Sequence, residues 1–272
     1  MIAFVLRRVF QLGLIASLAG QAMAQSVGEY PAPAKWQIHV GDDRCIATHD
    51  YRVGGQEWVV GFEPRPTTDE TSLMLVAPAA ASDLRQAHLR TADAPLAASG
   101  LSLDVKDPSG HRLYSARLTH AELARLSSNG SLQLDDQGHI TNFALTDGPQ
   151  VQQYLDSCVR ELLTGWGLSA EEQAALGSFP AIERQPADYL RPEDRAAVRL
   201  RPGMNAQATV LVQVETSGEA HECTVIHSTG DAYLDARTCK ILVDRARYHP
   251  ALDRSGKPVK APLVASMTWG QP

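Results

Sequence analysis

Residues 209–227 read TVLVQVETSGEAHECTVIH, and the fold of the C-terminal part of the chain turns on this stretch. Val210, Val212 and Val214 alternate with Leu211, Gln213 and Glu215, the period of two expected of a strand with unlike faces. Thr216, Ser217, Gly218 and Glu219 supply turn chemistry, so the following HECTVIH returns as the second arm of an antiparallel hairpin. Unbroken alternation predicts His221, Cys223, Val225 and His227 on one face.

Asp231 then suits a helix N-cap. Cys239, Leu242, Val243 and Ala246 recur at helical spacing, with Arg237, Lys240, Asp244 and Arg247 opposite. The pattern predicts a helix from about Asp231 to Tyr248, stopped by Pro250. A last alternating stretch, PLVASMTW at 262–269, places Leu263, Ala265, Met267 and Trp269 on one side of a strand.

Toward the N-terminus the punctuation changes. LGSFPAIERQPADYLRPEDRAAVRLRPGMNA, residues 176–206, carries Pro180, Pro186, Pro192 and Pro202. Proline at that frequency breaks long elements, so a domain boundary is expected over residues 169–206. Ahead of it, WQIHV, EWVVGF, SLMLVA, HRLYSARL, SLQL and HITNFAL read as short strands. THAELARLSS opens with Thr119 and Glu122 in capping-box spacing. GPQVQQYLDSCVRELLTGWG puts Val151, Leu155, Cys158 and Leu162 on one helical stripe. The expected class is therefore α+β in two domains. Residues 30–168 form the first, and 207–272 form a small ββαβ sheet with one packed helix.

The first 24 residues, MIAFVLRRVFQLGLIASLAGQAMA, have the make-up of a cleaved signal peptide. Arg7 and Arg8 precede an apolar run, and Ala22 and Ala24 fit an A-x-A cleavage site. That run is too short to span a bilayer. The expectation is a soluble, exported periplasmic protein with no stable membrane anchor after cleavage. An uncleaved anchor is the alternative. With 25 Lys and Arg against 31 Asp and Glu the formal charge is −6; no basic patch offsets it, which argues against a nucleic-acid partner.

Export to an oxidising compartment favours disulfides among the four cysteines. A helix packed on the hairpin would bring Cys239 to Cys223, leaving Cys45 and Cys158 for the first domain. Four cysteines allow three connectivities, and the other two stay open. A zinc site from His221, Cys223, His227 and Cys239 is the competing reading. It is disfavoured because strand residues six apart stand roughly 20 Å apart. No H-E-x-x-H, Walker loop, dinucleotide fingerprint or nucleophile elbow occurs. No catalytic residue and no cofactor is assigned, and neither a hydrolase nor a metal-binding protein is the favoured reading.

Val225, Ser228, Thr229, Gly230, Leu234, Asp235, Tyr248, Pro250, Ala251, Gly256, Pro258 and Val259 together carry a family resemblance. The order is a second strand ending in V-x-x-S-T-G, then L-D, an amphipathic helix, an aromatic before P-A, G-x-P-V and a closing strand. It resembles the C-terminal domain of TonB-type energy transducers of Gram-negative bacteria. More loosely, Trp36, Cys45, Leu155, Cys158, Leu162 and Trp166 resemble the N-terminal region of exported TonB-domain proteins. Transducers proper keep an N-terminal membrane helix and a long proline-rich spacer. Here a cleavable leader and a folded domain are expected in their place.

The resemblance implies a related fold and a peptide-binding mode, with an envelope protein or an outer-membrane receptor segment as partner. A right-handed crossover would set the last strand beside the first, giving order 2-1-3. Leu263, Val264, Ala265, Ser266, Met267 and Thr268 then form an edge that an extended peptide could extend. Cover by the first domain, or by a second copy in a homodimer, is the alternative fate of that edge. The functional expectation is a periplasmic binding module. The alternative is an energy transducer for outer-membrane transport that keeps its anchor or borrows an anchored partner.

Overall fold

A computed structural model describes residues 36–96, 100–196 and 206–269; the expected signal peptide, 1–24, lies outside them. The chain divides into two compact units. The first takes Cys45–Arg65, Glu70–Cys158 and the residues up to Val40. The second takes Gly41–Arg44, Pro66–Asp69 and everything from Val159 onward.

In the first unit, strands and helices mix in the α+β manner. β1 (Gln37–Val40), β2 (Cys45–Val53), β3 (Gln56–Pro64) and β4 (Glu70–Ala77) form an antiparallel meander. β5 (His88–Arg90) leaves for a second sheet, while β6 (Ser102–Lys106) and β7 (Arg112–Thr119) complete the first in the order β1-β2-β3-β4-β7-β6. α1 (His120–Asn129) follows, started by the expected capping box: Glu122 N–H donates to Thr119 Oγ1 at 3.2 Å and Thr119 N–H to Glu122 Oε2 at 2.9 Å. β8 (Ser131–Asp136) and β9 (His139–Ala144) join β5 in a three-stranded sheet.

Trp36, Trp58, Phe62, Tyr114 and Phe143 are buried among leucines and valines, and the Trp36 indole donates to the Thr146 carbonyl at 2.9 Å. α2 (Gly148–Gly165) buries Val151, Leu155 and Cys158 as its stripe predicts. One turn on, Leu163 is buried where Leu162 was expected, and Leu162 is only half-buried. The sulfurs of Cys45 and Cys158 are bonded, with Cα atoms 6.1 Å apart.

The continuous part of the second unit begins at Val159, within α2. Next come α3 (Ala170–Ala175), β10 (Leu176–Ser178), β11 (Ala181–Ile182), a 3-10 turn at Pro186–Tyr189 and α4 (Pro192–Ala196). The proline-bearing segment thus holds short elements, each tied to later chain. β10 pairs with Ala251–Asp253, and β11 pairs with Tyr248–His249. Tyr189 and Leu190 enter the core around Val210, Val212 and Ile241.

β12 (Ala206–Val214) and β13 (Ala220–His227) make the expected hairpin. At its turn Gly218 has φ +80°, and a side chain there would run into the Tyr248 carbonyl. Only glycine meets both demands.

Two β-bulges correct the predicted face of β13. Pairing skips from Thr209↔His227 to Val210↔Val225, and from Gln213↔Glu222 to Val214↔Ala220. An extra residue at each point breaks the alternation. Cys223 and Val225 keep the core face, while His227 shares the opposite face with Thr209. His221 is left unpaired at the second bulge and exposed. His227 instead stands with Nε2 at 2.5 Å from Asp43 Oδ2.

α5 (Ala232–Asp244) packs on this sheet through Leu234, Thr238, Ile241 and Leu242. Asp231 is its N-cap, accepting from Tyr233 N–H at 2.8 Å. The helix ends at Asp244, short of the predicted Tyr248, because the next residues leave as β14 (Tyr248–His249) to pair with β11. Ala246 and Tyr248 are buried there all the same, which is why their apolar spacing reads as more helix. Cys239 and Val243, predicted on the inward stripe, are half-buried at its margin, and the Cys239 sulfur is bonded to Cys223 with Cα atoms 5.6 Å apart. β15 (Ala251–Asp253) and β16 (Pro258–Val259) lead to β17 (Ala261–Trp269). β17 pairs antiparallel with β12, giving the order β13-β12-β17, which is the ββαβ arrangement with one packed helix.

Candidate functional site

The candidate edge is β17, paired on one side with β12 from Ala206↔Trp269 to Val214↔Ala261. Leu263, Ala265, Met267 and Trp269 are all buried; of the residues between them Pro262 is buried and Val264 half-buried, and Ser266 and Thr268 are exposed. Trp269 anchors the strand to α5, its indole donating to Thr238 Oγ1 at 2.8 Å, and Thr238 in turn donating to the Leu234 carbonyl. That chain of bonds satisfies two polar groups inside the core.

Which backbone groups face away from β12 follows from two residues. In an antiparallel ladder a residue's N–H and C=O point to the same side, and successive residues alternate. Pro262, opposite Gln213, has no N–H to give to β12, the position an edge strand allows to proline. Val264 donates its N–H to Thr67 Oγ1 at 3.2 Å instead of to β12. Even-numbered residues therefore face outward. Of the six candidate residues, Val264, Ser266 and Thr268 present their amides to the open side, and Leu263, Ala265 and Met267 spend theirs on β12.

On the second face of the sheet, Thr209 Oγ1 and Ser266 Oγ share a hydrogen bond at 2.9 Å, and Gln213 Nε2 donates to the Trp166 carbonyl at 2.8 Å. At the start of the strand Lys260 pairs with Glu215 at 2.7 Å, and this contact raises the Lys260 pKa.

The S-T-G and L-D residues prove to be one structural knot. Ser228 donates to Asp235, and Thr229 donates from both its amide and its hydroxyl at 2.8 Å. Burial alone would raise the Asp235 carboxyl; the bonds from Ser228 and Thr229 outweigh it and lower it. Gly230, at φ +86°, lets the chain turn from that knot into the Asp231 cap. These residues fix the join between β13 and α5.

The most buried carboxylate among the described ion pairs is not legible in the sequence. Asp194 on α4 has a fully buried side chain that accepts from Arg237 Nε at 2.9 Å, Arg245 at 2.5 Å and the Arg191 amide at 2.8 Å. Burial would raise its carboxyl, but the bonds from Arg245, the Arg191 amide and Arg237 hold it at about 2. Arg237 and Arg245 stand about two helical turns apart, and that spacing is the one signal the sequence offered.

Among the described residues no group of three or more His, Cys, Asp or Glu side chains is placed to hold a metal ion. Nor is any described helix long and apolar enough to cross a membrane. Residues 197–269 match the family described as Gram-negative bacterial TonB protein C-terminal. No curated protein and no solved structure matches the chain.

Proposed function

We propose that the chain, whose residues 197–269 are a TonB C-terminal domain, docks an extended peptide or envelope-protein segment by adding a strand to β17. Such domains interact with outer-membrane receptors and envelope proteins and are not enzymes. The module is thus a TonB-related one of the envelope. The finer reading adds the periplasm as its place, no catalysis of its own, and an extended segment as its ligand.

One observation carries the reading. β17 is paired on one side only among the described residues, and its exposed Ser266 and Thr268 turn their amides away from β12. Strand addition draws its affinity from such main-chain groups and its selectivity from alternate side chains. The small hydroxyl side chains leave a partner's backbone room to approach.

Proline substitution tests this with an internal control. Ser266→Pro deletes an outward donor and is expected to abolish capture of envelope partners while the domain stays folded. Ala265→Pro deletes a donor to β12 and is expected to unfold the sheet. Undiminished capture by folded Ser266→Pro protein would remove the edge from the account.

A further inference from the structure

We propose that Thr67 is a latch on the docking edge, holding Val264 closed until a partner strand displaces it. This inference rests on the docking reading and adds its regulation. Pro66–Asp69 belongs to the same compact unit as β17. Pro66 and Thr67 are buried, Thr67 to 3% exposure, and the Thr67 hydroxyl oxygen accepts the Val264 N–H.

That oxygen takes the place a partner strand's carbonyl would take. An unpaired edge invites indiscriminate pairing, and covering one of its donors limits it. The consequence lies in the spacing of the outward amides. Pro262 has none, Val264 is taken, and Ser266 and Thr268 remain. A partner strand laid along β17 meets two available donors with the latch closed and three with it open. With Thr67 Oγ1 at hydrogen-bond distance from the Val264 nitrogen, a partner carbonyl cannot occupy the same place. Full-length strand addition and the Thr67–Val264 bond therefore exclude each other, and partner binding must release the segment.

Three full-length proteins test this: wild type, Thr67→Val, which keeps the shape and removes the oxygen, and Thr67→Ser, which keeps the oxygen. The probe is a synthetic peptide with the sequence of Ala206–Val214, the strand that β17 already accepts on its inner side. A side chain to backbone hydrogen bond contributes a net ~1 kcal/mol, equivalent to about a fivefold change. Thr67→Val is expected to speed Val264 amide exchange about fivefold without moving that of Ala265, and to bind the peptide about fivefold tighter. Thr67→Ser should behave as wild type, and adding Ser266→Pro should cancel the gain. Unchanged Val264 exchange in Thr67→Val overturns the latch. So does equal peptide affinity in wild type and Thr67→Val; if Ser266→Pro still removes that binding, docking at the edge stands alone. Faster Val264 exchange with no peptide bound by any variant overturns the docking reading, and the latch with it.

Discussion

At Asp194 a carboxylate is taken out of water and held by two arginines and an amide. Removing one member of a buried ion pair strands the others, at a cost of about 3 to 5 kcal/mol. Asp194→Ala is therefore expected to lower the unfolding free energy of the second unit by about that amount, read by urea titration. The pH dependence has a definite sign. Folding depresses this carboxyl from 3.8 to about 2, so its stabilising contribution is fully present above about pH 4. It is lost as pH falls toward 2, amounting to about 2 kcal/mol. Asp194→Asn should flatten that limb of the stability profile. An unchanged acid limb in the Asn variant would show that the cluster does not hold this carboxylate ionised.

Among the elements, strand alternation and helix caps were legible because each is set by near neighbours. Thr119 with Glu122 announced α1, Asp231 announced α5, and the valines of β12 announced a two-faced strand. The β-bulges were hidden, since a bulge exists only in the pairing of two strands and HECTVIH alone shows even alternation. The end of α5 was hidden as well, because Ala246 and Tyr248 are buried whether the backbone stays helical or turns to meet Ala181 and Ile182. Asp194 sits in PEDRA beside a second acidic residue, Glu193, and its arginine side-chain partners lie 43 and 51 positions away. At the candidate edge, the strand and its place in the sheet were readable, but which amides face outward required the register of Pro262 against β12 and the Thr67 contact. The bond from β13 to α5 carries its own prediction. Non-reducing peptide mapping of exported protein should recover Cys223 with Cys239 and Cys45 with Cys158. Replacing Cys223 and Cys239 by alanine should cost on the order of 3 kcal/mol by chain-entropy reasoning. Four free thiols in that material would contradict both pairings.

For the whole molecule, the segment ahead of the TonB-like domain matters more than its prolines suggest. Leu163, Leu168, Ala251 and Ala261 form one apolar cluster with Trp166 and Phe179 packed on it, and β10 and β11 pair with β15 and β14. A fragment beginning at Val159 is therefore expected to unfold at higher urea than one beginning at Ala187, which lacks that cluster and both pairings. Equal midpoints would make residues 159–186 dispensable to the second unit. Site-specific photocrosslinking in a Gram-negative host reads whether β17 meets a partner in the envelope. A photoreactive side chain at Ser266 or Thr268 of the full chain is compared with one at Glu222, on the opposite edge strand. Partner adducts are expected from 266 and 268, lost on introducing Thr268→Pro beside the 266 probe, and few from 222. Adducts confined to position 222, or from 266 undiminished by that proline, would contradict docking at β17.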